Sequence, residues 1–72
     1  MEPGDLVRPR VQLVLYREWT DHNSKLGSFD EDQLGLVVES LEHQGGNGCK
    51  VLIPGSSVGW CGTYYLEVVR GR

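Results

Sequence analysis

The stretch Lys50-Val51-Leu52-Ile53-Pro54-Gly55-Ser56-Ser57-Val58-Gly59-Trp60-Cys61, followed by Tyr64-Tyr65-Leu66-Glu67-Val68-Val69, decides the fold. Val51 and Ile53 alternate with Lys50 and Leu52, the period of two that marks a strand with one buried face. Pro54-Gly55-Ser56-Ser57 is turn chemistry, because proline presets φ and glycine supplies φ > 0. Val58 and Trp60 resume the alternation. The segment therefore reads as strand, tight turn, strand, short helical turn near Tyr64-Leu66 and closing strand. If Ile53 pairs with Val58 across the turn, Lys50 faces Cys61 and Cys49 faces Gly62. The two thiols then point to opposite faces, and both are expected to stay free.

Working outward, the whole chain reads as an all-β meander. Leu6-Val7-Arg8 is a short first strand stopped by Pro9. Val11 to Tyr16 is rich in β-branched residues and reads as a second strand. Arg17 to Lys25 is a polar loop, and Leu26 to Phe29 is a brief extended segment. Gln33 to Leu41 is the third long strand, with Leu34, Leu36 and Val38 on one face and Val37 on the other. Gly35 within it reads as a bulge or bend. His43 to Gly48 is a flexible hairpin loop. The period-two positions predict a core of Leu6, Leu13, Leu15, Leu36, Val38, Val51, Ile53, Leu66 and Val68.

A chain of 72 residues is one domain with one modest core. No run approaches the ~18 apolar residues of a membrane span. Met1-Glu2-Pro3-Gly4-Asp5 lacks a signal-peptide pattern, so a chain that starts there is expected to stay in its cell of synthesis, with thiols reduced. A net charge of −3 argues against general nucleic-acid binding, which needs basic stripes. Arg8, Arg10, Arg17, Arg70 and Arg72 lie toward the termini, whereas acidic residues crowd the middle. Such polarity suits docking between charged neighbours.

Several segments resemble the bacterial Src-homology-3-like domain. Ser24-Lys25-Leu26-Gly27-Ser28-Phe29 stands where that family has a Ser-Lys-apolar-Gly-small-apolar segment. Asp32-Gln33-Leu34-Gly35-Leu36-Val37-Val38-Glu39 matches its apolar strand after an acidic turn. Gly59-Trp60-Cys61 and Tyr65-Leu66-Glu67-Val68-Val69 match its ending. The opening Gly4-Asp5-Leu6-Val7-Arg8 resembles small standalone barrel proteins of bacteriophages. Leu13-Val14-Leu15-Tyr16 departs from the Asn-Val-Arg-like start usual for the family's second strand. The resemblance implies a small barrel of five to six short antiparallel strands that binds rather than catalyses. It further implies a structural subunit docking on a larger protein assembly, foremost a virion in the roles of capsid decoration, neck or tail attachment, assembled in the host cytoplasm. The alternative is a module that recognises cell-wall or proline-rich peptides. A homo-oligomer within a particle fits the first reading.

The candidate contact residues are Trp19, Trp60, Tyr64 and Tyr65, with the acidic turn Asp30-Glu31-Asp32 at the rim. Trp60 either caps the core or borders a groove, as the tryptophan of the related domains often does. Trp19, in a polar loop, reads as an interface anchor or as a ring folded back over the barrel end. Asp30-Glu31-Asp32 lacks calcium-loop spacing, and successive turn residues point apart, so it reads as solvated. Cys49, Cys61, His22 and His43 are too scattered for a zinc signature, and no cofactor is expected. Neither histidine sits in a pattern with a nucleophile, and Gly45-Gly46-Asn47-Gly48 lacks the lysine and helix of a phosphate loop.

Overall fold

A computed structural model describes residues 1–71; Arg72, one of the arginines counted above, lies outside the described residues. The chain is all-β. Its strands are β1 (Leu6–Pro9), β2 (Leu13–Tyr16), β3 (Lys25–Phe29), β4 (Gly35–Ser40), β5 (Gly48–Leu52), β6 (Val58–Gly62) and β7 (Leu66–Arg70). They form one antiparallel sheet of seven strands, in the order β3-β2-β6-β5-β4-β1-β7. That is more strands than the five to six expected, because Lys25–Phe29 pairs fully with β2. No ladder joins β3 to β7 among the described residues, so the sheet is open. It nevertheless curls on itself. Phe29, at the end of β3, lies against Gly35 of β4, where an added Cβ would come 3.0 Å from the ring. The helical turn near Tyr64 is a 3₁₀ turn over Thr63–Tyr65, and a second spans Glu42–Gln44 in the loop read as flexible.

The buried core is Val7, Leu15, Phe29, Val37, Cys49, Val51, Ile53, Cys61 and Leu66, with Met1 and Leu13 packed against it. Leu15, Val51, Ile53 and Leu66 point inward as the alternation predicts. Four expected core residues do not. Leu36, Val38 and Val68 are exposed, and Leu6 is only half-buried. In β4 the reason is a bulge between Val37 and Glu39: Val37 pairs with Val51, but Glu39 already pairs with Lys50. The extra residue resets the parity, so Val37 faces the core while Glu39 still reaches water. Gly35 is not that bulge. In β1 the parity is plain. Leu6 shares a face with Arg8, whose charge belongs in water, and Val7 and Pro9 take the inner face. Val68 lies on the edge strand β7 and is 47% exposed.

The expected register of the β5–β6 hairpin is off by one. Leu52 pairs with Val58, Lys50 with Trp60 and Cys49 with Cys61. Ile53-Pro54-Gly55-Ser56 closes through Ser56 N–H donating to the Ile53 carbonyl at 3.0 Å, with Gly55 at φ 77°. This is the type II turn that Pro-Gly specifies. Ser57 is then an additional loop residue, and the Ile53 N–H donates to its carbonyl at 3.3 Å. The two cysteines therefore share one face, both buried. They are unbonded to each other, but the opposed-faces reason for that is overturned.

Gly59 shows how closely the layers approach. A Cβ there would lie 2.9 Å from the Leu15 Cβ and 3.4 Å from the Tyr16 carbonyl oxygen. Neither neighbour is the free end of a flexible chain, so Gly59→Ala should cost about 1–3 kcal/mol of stability. Urea melts check this; a loss under about 0.5 kcal/mol, the range of surface changes, would contradict the packing.

Pairing of β1 with β7 brings the two chain ends together, with Leu6 opposite Arg70. Arg8 Nη2 and Nε donate to Glu67 Oε1 at 2.6 and 3.0 Å. Hydrogen bonding from Arg8, and then its charge, hold the Glu67 carboxyl below its usual range. A lowered folded-state value makes this contribution present above the ordinary carboxylate pKa and lost as pH falls through the lowered one. Melting curves of the wild type and Arg8→Gln should thus differ at neutral pH and converge in acid. A difference that stays undiminished as the pH falls through and below the ordinary Glu range would contradict the pairing.

Candidate functional site

The groove is built on the outer face of the β5–β6 hairpin. Gly48 of β5 pairs with Gly62 of β6. Neither has a side chain, and the Trp19 indole lies in the space this leaves. A Cβ on Gly48 would come 2.6 Å from Trp19 Nε1 and Cε2, and one on Gly62 would come 3.8 Å from the far edge of the ring. The polar loop that carries Trp19 is itself fixed. Arg17 N–H donates to the Ser24 carbonyl at 2.8 Å, and Ser24 Oγ donates to the Asp21 carbonyl at 2.6 Å. Trp19 is therefore half-buried, one face on glycine backbone. It folds back onto the sheet, and its ring is also part of the lining of a groove.

That groove, of about 290 Å³, is lined by Gln12, Leu13, Val14, Tyr16, Trp19, Asn47, Gly62, Tyr64 and Tyr65. Tyr16 meets Trp19 edge-on, with ring centroids 6.2 Å apart, and also meets His22 edge-on at 5.6 Å. Tyr64 and Tyr65 form a second edge-on pair at 5.1 Å. The 3₁₀ turn that presents them is anchored by Thr63 N–H, which donates to the Asn47 carbonyl at 2.8 Å. Tyr64 is 79% exposed. Such edge-on aromatic pairs add about 0.5–1.5 kcal/mol beyond the area they bury.

Of the seven residues singled out in the sequence, Trp19, Tyr64 and Tyr65 line the groove. Trp60 does not. It stands half-buried opposite Lys50 on one side and the groove residue Tyr16 on the other, on the same strand as Gly62 but outside the lining. The acidic turn lies nearby: Asp30 Oδ1 accepts from Nε2 of Gln12, a groove residue, at 2.7 Å. Glu31 and Asp32 are exposed. Gln12, Val14, Tyr16 and Asn47 escaped the sequence reading. Tyr16 alone carried a signal, as an aromatic at the outward parity of a strand whose Leu15 faces in.

Among the described residues, no three His, Cys, Asp or Glu side chains come together to hold a metal. No helix of the described chain is long and apolar enough to cross a membrane. In comparisons with known proteins, no family model, no curated protein and no solved structure matches the chain.

Proposed function

We propose that this protein is a non-catalytic binding module of Src-homology-3-like kind. It docks on a larger protein assembly by taking an extended, proline-containing segment of a partner into the groove. The observation that carries the reading is the convergence of Tyr16, Trp19, Tyr64 and Tyr65, from two distant parts of the chain, on one groove. Flat aromatic walls receive the preformed polyproline II helix at low entropic cost. Charge selects the flank of that segment. Glu18 and Asp21 stand in the Trp19 loop and Asp30, Glu31 and Asp32 lie beyond Gln12, so the segment is basic beside its prolines. Membership of a virion, as capsid decoration, neck or tail protein, rests on the sequence resemblance alone. The docking mode rests on the groove.

A synthetic proline-containing peptide with flanking lysines, titrated into a Trp60→Phe background, should change the emission of Trp19 saturably. Added salt should slow association more than it weakens affinity. A flat titration, or equal binding of a glutamate-flanked peptide, would count against the reading.

A further inference from the structure

The register that overturns the sequence expectation places two buried thiols face to face. Cys49 and Cys61 are directly paired across adjacent antiparallel strands, with 0% and 1% exposure. The phase of the ladder gives their spacing. Backbone bonds occur at the pairs 47:63 and 53:57, two and four residues from 49:61. Hydrogen-bonded and non-bonded pairs alternate, so 49:61 is a hydrogen-bonded pair with Cα atoms about 5.5 Å apart. That separation lies inside the disulfide window of about 4.4–6.8 Å. The Cβ atoms of such pairs stand toward the wide end of about 4.5–5.5 Å, whereas a disulfide draws them to about 3.8 Å. The bond is therefore attainable, but only by pulling the two strands inward, and strained disulfides are the readily reduced ones.

We propose that Cys49 and Cys61 form a reversible intramolecular disulfide under a thiol–disulfide oxidant such as oxidised glutathione, and that its closure is felt in the groove. The route balances without other reactants. One cysteine, as thiolate, attacks a sulfur of oxidised glutathione, forming a mixed disulfide and expelling one glutathione thiolate. The second cysteine then attacks its neighbour's sulfur in that mixed disulfide, closing the protein bond and expelling the second glutathione. The two protons lost by the cysteines go to the two leaving thiolates. The protein pair is oxidised by two electrons and the glutathione disulfide is reduced by two.

Two features set the rate. Contact with the Cys49 thiol, and then burial, push the Cys61 thiol up, so little of it is thiolate. Met1 packs against the Cys49 member of the pair, with the Cys49 thiol 3.9 Å from the Met1 thioether, while the Met1 amino group is held by Glu42 at 2.6 Å. Oxidation of the native protein is accordingly slow, and Glu42→Gln, which releases Met1, should speed it severalfold. The coupling to the groove follows from position. The next pair along the ladder is Gly48–Gly62, on which Trp19 lies. Drawing 49 toward 61 moves that floor.

The test incubates the full chain with oxidised glutathione, natively and during refolding from urea, so that burial does not block the first attack. Alkylation and intact-mass measurement then count the free thiols, and the Trp19 emission of the Trp60→Phe variant is followed. The expected product has no alkylatable thiol, a Cys49–Cys61 crosslinked peptide and a shifted Trp19 emission, and dithiothreitol reverses all three. Cys49→Ser and Cys61→Ser should each stop at a stable glutathione adduct. The proposal is overturned if the wild type keeps two free thiols in both incubations, or stops at glutathione adducts as the single variants do. An unchanged emission in the crosslinked protein would overturn the coupling to the groove.

Discussion

Phe29→Ala is expected to leave the protein largely unfolded at room temperature. Phe29 is the largest fully buried side chain and sits where the curled sheet brings β3 against β4. Removing a buried phenylalanine costs about 3–5 kcal/mol through lost transfer energy and the cavity left behind. A domain of this size holds ~5 kcal/mol in all. Leu36→Ala is the matched control. It lies on a strand and looks like core by spacing, yet it is 38% exposed, and its loss should stay under ~1 kcal/mol. Urea melts of the two variants separate the alternatives. Equal destabilisation, or a larger effect at Leu36, would mean that β4 presents its other face to the core.

Trp19→Ala is expected to weaken binding of the lysine-flanked proline peptide at least tenfold, about 1.4 kcal/mol, and to lower the melting temperature as well. Both effects come from one placement. The ring covers the Gly48–Gly62 pair and forms a groove wall, so its removal uncovers backbone and deletes contact area. Tyr64→Ala separates the two effects. With Tyr64 79% exposed, its truncation should lose affinity while the melt stays at the wild-type value. If Tyr64→Ala binds normally, the tyrosine pair is not part of the contact. If Trp19→Ala melts like wild type, the indole is not seated on the glycines.

Much of the fold was legible because period-two spacing and Pro-Gly turn chemistry are local. Val51, Ile53 and Leu66 took the faces that their neighbours implied, and Gly55 adopted the positive φ that its turn required. Two of the misreadings share one physical cause: parity is counted along a chain, and a single extra residue inverts it. The bulge before Glu39 exchanged Leu36 and Val38 for Val37, and the fifth loop residue Ser57 turned Cys49 toward Cys61. One warning was present. Arg8 shares its parity with Leu6, so placing Leu6 inside would have buried a charge. Phe29 was hidden within Lys25-Leu26-Gly27-Ser28, whose small and polar residues mask a strand that is exposed except at its last side chain. The groove was half legible. Exposed aromatics in irregular segments pointed to Trp19, Tyr64 and Tyr65. The seat of Trp19 depends on Gly48 meeting Gly62 across a hairpin, a fact of register that no local pattern contains.

On the reading proposed above, the aromatic groove is the one face of the molecule that receives the partner segment. Amide and indole chemical-shift mapping of the labelled protein during titration with the lysine-flanked proline peptide tests it most directly. Saturable shifts are expected at the Trp19 indole N–H, Gln12, Asn47, Tyr64 and Tyr65, fading toward Asp30. Shifts centred instead on the outer aliphatic row Leu36–Leu52–Val58, where these exposed side chains pair across β4, β5 and β6, would contradict it.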